Sequence, residues 1–206
     1  EIEALQAQIN PHFLYNTLDS VNWMLIARGE MDISAVVVAL GKLMQYSMDT
    51  ARAMVSLEEE YRNVRDYLMI QKNRLEDRLE FTLELDETLK CFPVPKLILQ
   101  PLVENAIKYG IEPSLQPGHI LVRTRKTDDD IQILVKDNGC GMDEAQLTFY
   151  RRLLRNDLSG QTNIGVRNVA RRLQLHFGGR CGFNVSSRPG DGLSITIRIP
   201  AQEEQS

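Results

Sequence analysis

The residue with most chemical potential in the first half of the chain is His12, the one histidine before residue 119. An unprotonated imidazole is a nucleophile near neutral pH. Gln8 and Asn16 stand four residues to either side. On a helix they share its face, and either amide can hydrogen-bond a ring nitrogen. The preceding residue is Pro11, which inside a helix removes one backbone hydrogen bond and crowds the carbonyl of Ala7. Proline in a helix interior costs ~3 kcal/mol. Its place beside the histidine points to a nucleophile displayed on a locally loosened helix.

Four short segments of the second half carry turn or ligand chemistry. In Glu104-Asn105-Ala106-Ile107-Lys108-Tyr109, Asn105 and Lys108 lie three apart and share a helix face. An amide oxygen suits a hard cation such as Mg²⁺, and a lysine beside it suits phosphate. In Asp137-Asn138-Gly139-Cys140-Gly141-Met142, the Asp137 carboxylate can accept the exocyclic N–H of adenine. Gly139 and Gly141, lacking side chains, let a base approach the backbone. Asn163-Ile164-Gly165-Val166-Arg167-Asn168 opens a helix, whose N-terminal N–H groups favour phosphate. Gly190-Asp191-Gly192 precedes the last strand as a hairpin turn. Taken singly, each is ordinary turn or surface chemistry; their order along one chain is the specific signal.

The elements that must position these residues are legible as changes of period. A helix is expected over 1–28, from Ile2, Leu5, Ile9 and Phe13 before and after Pro11. Its apolar stripe rotates past the proline, as in a bundle helix with several partners. Gly29-Glu30 breaks it, and Asp32 is an expected N-cap for a second helix over about 33–52. This hairpin exposes much apolar surface, so either a homodimeric four-helix bundle or packing on its own chain is expected. Ser56-Leu57-Glu58-Glu59 forms a capping box for a third helix, 57–76. Alternating strands are expected at 79–85, 119–125, 130–136, 181–187 and 193–199. Pro93-Val94-Pro95 should seed a helix ending at Gly110, and another helix should span 164–177. Between Asp137 and that helix the chain reads as loop. The expected fold is α+β: a helical hairpin over 1–77, then an α/β sandwich over 78–206 with one mixed sheet and helices on one face.

The chain has 206 residues, 43% hydrophobic and 25% charged, with net charge −4. That charge offers no broad basic footprint for nucleic acid. The three cysteines are widely spaced and fit neither a zinc site nor a disulfide framework, which suggests a reducing compartment. The chain begins on Glu1 in mid-helix pattern, so it reads as a fragment whose first helix continues upstream.

The four segments together resemble the N, G1, G2 and G3 boxes of the ATP-binding fold shared by histidine kinases, gyrase B and Hsp90. The stretch from Gln8 to Leu18 resembles the phosphoacceptor box of the LytS/YesM-type branch of two-component sensor histidine kinases. Residues 56–67 and 97–106 are similar to that branch as well. The resemblance implies ATP-dependent phosphorylation of His12, with Asn16 beside it, and transfer to an aspartate of a response regulator. It implies Asn105 as the Mg²⁺ ligand and Lys108 and Tyr109 at the nucleotide. Asp137 would read adenine, while Gly139, Gly141, Gly165, Gly190 and Gly192 shape the pocket. Ile164, Val166, Arg167 and Asn168 would lie at its phosphate edge, with 143–163 as a lid. A homodimer, and a bacterial inner-membrane sensor segment upstream of this cytoplasmic portion, are implied too. Three positions depart from the wider pattern: Asn163 replaces a glycine, Leu193-Ser194 follows Gly192 in place of threonine, and Phe13 follows His12. The alternatives are a degenerate kinase acting as a nucleotide-binding module, and an ATP-hydrolysing clamp. The clamp needs a glutamate where Pro101 stands.

Overall fold

A computed structural model describes residues 11–127, 129–155 and 164–201. Helix α1 (Pro11–Ala27) and helix α2 (Met31–Met48) form an antiparallel hairpin turned at Gly29, whose φ is +77°. The expected kink at Pro11 falls at the edge of the described residues. Helix α2 starts before the expected Asp32 cap; Asp32 instead lies in the first turn, where its charge suits the helix dipole. It ends earlier too, because Asp49 turns the chain by accepting the Ala51 N–H at 3.2 Å.

Strand β1 (Met54–Ser56) leads into helix α3 (Leu57–Leu75) through the expected capping box. Ser56 Oγ accepts the Glu59 N–H, and Glu59 accepts the Ser56 N–H at 3.0 Å. Acidic residues fill its first turn, and Lys72 and Arg74 its last, which suits the dipole. One side of α3 is wholly apolar: Leu57, Val64 and Leu68 are fully buried and Tyr61 nearly so. These residues join the core of the second half, while α2 packs along another side of the same helix, so α3 bridges the hairpin and the sheet.

Strands β2 (Leu79–Leu85), β4 (Gly118–Lys126), β5 (Asp130–Asp137), β6 (Gly182–Ser187) and β7 (Leu193–Pro200) form one sheet in the order β2-β4-β5-β7-β6. Only β2 and β4 are parallel. Alternation fixes the register: Ile120, Val122, Ile131, Ile133, Val135, Ile195, Ile197 and Ile199 all turn to the covered face. The opposite face is polar, with Thr82 bonded to His119 and Glu84 paired with Arg123.

Three expectations fail here for definable reasons. Pro93-Val94-Pro95 is not a helix start but strand β3, paired antiparallel with β1. Proline holds its predecessor in extended backbone, which suits a short edge strand. Helix α4 (Gln100–Asn105) begins five residues later and does not stop at Gly110. It widens into a π-helical turn, Ala106–Ile111, sealed by Glu112 N–H to Ile107 C=O. The expected loop after Asp137 contains helix α5 (Glu144–Leu154), opened by a reciprocal cap between Asp143 and Gln146. Leu147, Tyr150, Leu153 and Leu154 are buried, so the first half of the expected lid is a packed helix. The rest of the expected lid, 156–163, and Asn163 with it, lies outside the described residues. Helix α6 (Ile164–Phe177) completes the covering layer and closes at Gly178, whose φ is +61°.

Candidate functional site

The ends of several elements meet around Asp137, the last residue of β5. A cleft of about 510 Å³ opens there, walled by α4 and its π-turn, by the turn after β5, and by one face of α5. Of the residues proposed from sequence, Asn105, Tyr109, Asp137 and Gly141 line it. Phe149 and Tyr150 supply walls that the motif reading did not name, and Cys140 and Met142, quoted in the motif without a role, line it too.

Asp137 is almost fully buried. Its Oδ1 accepts the N–H of Gly139 at 2.8 Å and of Leu193 at 3.3 Å. Among the described residues no hydrogen bond falls on Oδ2. Burial pushes its carboxyl up from the ordinary range, and the two backbone donors hold it back. An acceptor of this kind, fixed on one oxygen and open on the other, matches an amine donor such as the adenine exocyclic group.

The glycines are required by contact. A Cβ on Gly139 would overlap the Gly110 carbonyl, and one on Gly192 would overlap the Asp137 carbonyl. Gly141 has φ +68° and would place a Cβ on the Arg188 carbonyl oxygen. The π-turn brings Gly110 in as well: its C=O accepts the Cys140 N–H at 3.0 Å, and a Cβ there would lie 2.7 Å from Asp137 Oδ1. Sequence reading took Gly110 for a helix stop. Its real role shows only when the π-turn lays it against Asp137. The Gly190 turn is tied to the same place, since Gly190 N–H donates to Cys140 C=O at 2.8 Å. Ser187 Oγ accepts the Met142 N–H and donates to the Gly192 carbonyl.

Asn105 is half-buried in the cleft wall. Its Nδ2 donates to the buried Tyr150 hydroxyl at 3.2 Å. In this orientation the amide nitrogen faces the hydroxyl and Oδ1 is the acceptor end left to the cleft. Burial holds the Tyr150 phenol protonated. Nothing in the sequence spacing links Asn105 to a tyrosine 45 residues on.

The other proposed residues are placed differently. Lys108 is exposed, its ammonium 5.2 Å from the Tyr109 ring centre at the cleft margin. Gly165 packs at the start of α6, where a Cβ would sit 3.3 Å from Pro101. Val166 belongs to the core, Arg167 is half-buried and Asn168 exposed. The side chain of Ile164 lies outside the described residues. Among the described residues, Lys108, Gly165, Val166, Arg167, Asn168 and Gly190 do not line the cleft.

His12 is exposed on α1. The Asn16 amide nitrogen lies 3.1 Å from its Nδ1. Gln8, the other expected partner, lies outside the described residues. As placed, the amide nitrogen donates to Nδ1 and the ring proton sits on Nε2; with the amide turned by half a rotation, its oxygen would accept from Nδ1–H and leave the lone pair on Nε2. Among the described residues no cluster of three or more His, Cys, Asp or Glu gathers to hold a metal.

Comparison with known proteins gives two family matches along the chain. Residues 1–79 match the histidine kinase family model. Residues 94–203 match the model described as histidine kinase-, DNA gyrase B- and HSP90-like ATPase. The sensor histidine kinase YesM of Bacillus subtilis is 43% identical over 99% of this chain, which covers 34% of that protein. The sensor protein kinase HptS of Staphylococcus aureus is 28% identical over 97% of the chain and 38% of its own length. The chain therefore spans about a third of the curated relatives it matches. Among solved structures, the histidine kinase domain of a blue-light activated histidine kinase from Erythrobacter litoralis aligns with TM-score 0.54 at 17% identity, over 92% of this chain and 93% of that one. The catalytic domain of histidine kinase ThkA aligns at 0.51 over 71% of this chain and 93% of its own. With a histidine kinase match over residues 1–79 and a histidine kinase-like ATPase match over residues 94–203, this chain belongs to the histidine kinase family.

Proposed function

We propose that this chain uses ATP to phosphorylate His12 and passes the phosphoryl group to an aspartate of a response-regulator receiver domain. The observation that carries the reading is the cleft closed on Asp137 by glycine contacts, on the same chain as an exposed histidine held by an amide. Asp137 accepts the adenine amine, and the apolar walls of Met142 and Phe149 exclude water from the base. The donor set fits Mg²⁺: with the Asn105 amide nitrogen on Tyr150, the amide oxygen would serve as a hard ligand, the remaining ligands coming from the nucleotide and water. Bound there, Mg²⁺ would supply charge neutralisation on the phosphates. Phosphoryl transfer asks the protein mainly for in-line positioning and charge balance. Lys108 contributes a positive charge at the margin. With the Asn16 amide turned so that its oxygen accepts from Nδ1–H, the imidazole is held in the tautomer whose Nε2 attacks the terminal phosphorus. The bond to the leaving ADP oxygen breaks, and the Nδ1 proton stays against the amide oxygen.

The hairpin supports a homodimer. Phe13, Trp23, Met24 and Met31 are each more than 60% exposed. Four-helix bundles bury such faces between two hairpins. A membrane-borne sensor segment ahead of residue 1 belongs to the same proposal; no described helix is itself long and apolar enough to cross a membrane.

The test is incubation with γ-labelled ATP and Mg²⁺. Label that is acid-labile and base-stable, and that vanishes in His12→Gln, is expected. Label that survives the substitution would refute the assignment.

A further inference from the structure

Glu60 is wholly buried, and the chemistry above does not use it. In sequence it is one more acid in the first turn of α3. In the fold its carboxylate is gripped by four donors. The backbone N–H groups of Leu97, Ile98 and Leu99 donate to it at 2.7, 2.8 and 2.9 Å. The Tyr46 hydroxyl donates to it at 2.5 Å.

These donors come from two regions. Leu97–Leu99 runs directly into α4, the helix that carries Asn105, and the N–H groups of Leu102 and Val103 return to the Leu99 carbonyl. Glu60 thus satisfies, from a neighbouring helix, the three successive amides that lead into α4, ending on its N-cap residue Leu99. The turn is held, not relaxed: Leu97 has φ +60°, a conformation side chains rarely adopt. Arg172 of α6 donates to the carbonyls of Lys96 and Leu97 at 2.7 and 3.2 Å.

Tyr46 belongs to α2. Across the hairpin Ser34 bonds Asn22, and Gly41 approaches Leu18. Carried on antiparallel, that register brings Tyr46 to the level of His12. Lys96 reinforces the joint, with Nζ 4.6 Å from the Tyr46 ring centre and donating to the Asp49 carbonyl at 2.5 Å.

We propose that Glu60 is a positioning residue shared by the two halves: three amides tie it to the helix carrying Asn105, and Tyr46 ties it to the His12 end of the hairpin. A hairpin movement that withdraws the Tyr46 hydroxyl leaves the buried carboxylate one donor short, and the Leu97–Leu99 turn readjusts. The coupling is reciprocal, so nucleotide held at Asn105 biases the hairpin in return. Its kinetic consequence rests on the proposed phosphorylation of His12; its structural part does not.

The full chain carrying Tyr46→Phe keeps the ring under Lys96 and loses only the hydroxyl. Three results are expected: ATP affinity within two-fold of the parent, His12 labelling at saturating ATP at least five-fold slower, and amide hydrogen exchange at Leu97–Leu99 at least five-fold faster. Glu60→Gln, which turns an amide donor toward amide donors, is expected to weaken ATP binding at least ten-fold. Exchange at those three amides within two-fold of the parent in Tyr46→Phe would overturn the proposal. So would labelling that falls only in proportion to ATP affinity. If the parent chain does not label on His12, the proposed function fails, while exchange and ATP affinity still decide the role of Glu60.

Discussion

The hairpin over 11–48 and the sheet-and-helix unit after it solve burial in opposite ways. Among the described hairpin residues only Ser34, Ala39 and Leu43 are buried, while Trp23 is 70% and Phe13 67% exposed. In the sheet-and-helix unit, α3 to α6 close over one face of the sheet, and its apolar residues form a continuous buried cluster. Both regions carry apolar residues at helical or strand spacing. The difference is that the second finds enough partners within the chain and the first does not. Its helices are amphipathic toward something else, and the proposed second copy supplies that surface. A phosphoacceptor on a lightly packed hairpin can be moved at low cost, whereas a nucleotide site needs fixed donors and is embedded where packing is dense.

Substitutions can break or sharpen that contrast. The largest effect is expected from Leu68→Ala, which empties a fully buried site under the sheet. It should lower stability by about 3 kcal/mol in denaturant unfolding. Gly141→Ala forces a side chain into left-handed backbone against the Arg188 carbonyl. Strain of this kind costs ~1–3 kcal/mol, and ATP binding should be lost in calorimetry while the sheet persists by circular dichroism.

Asp137→Asn separates stability from function. ATP affinity should drop roughly 30-fold, about 2 kcal/mol, for loss of a charged acceptor. Stability should move the other way. Burial raises the folded carboxyl above its ordinary 3.8, so its stabilising contribution is complete below that value and lost as pH rises through the folded one. The asparagine variant has no such loss, and its melting temperature relative to the parent should improve as pH rises from 4 to 7. A relative melting temperature that falls over that range would contradict the desolvation account.

Ser56→Ala removes a cap that two reciprocal bonds define, and should cost ~1 kcal/mol. The smallest effect on the second half is expected from Trp23→Ala. It should leave that unit's unfolding within ~0.5 kcal/mol while weakening the dimer in sedimentation. Loss of second-half stability instead would mean that Trp23 packs within its own chain.

Legibility tracks the same division between local and distant causes. The capping box at Ser56 and the alternation of Leu193, Ile195, Ile197 and Ile199 were readable, because their physics acts within a few residues. The Asp137, Gly139 and Gly141 turn was readable as a motif. Its reason, backbone packed against Gly110 and Arg188, was not. Helix α5 was missed because Asp143 and Gln146 resemble loop residues until their mutual cap is seen.

The sequence by itself determined the five strands of the main sheet and the face each buries, the helices α1, α2, α3 and α6, and the residue types proposed to hold a nucleotide and accept a phosphoryl group. All of these come from periodicity and side-chain chemistry along a few consecutive positions. Only the tertiary structure decided that Tyr150 fixes the Asn105 amide, that Gly110 lies against Asp137, and that Glu60 draws together α2, α3 and the start of α4. Those contacts join residues 14 to 45 positions apart. A buried carboxylate or amide takes whichever donors the packed chain brings to it, and no local pattern records which those will be.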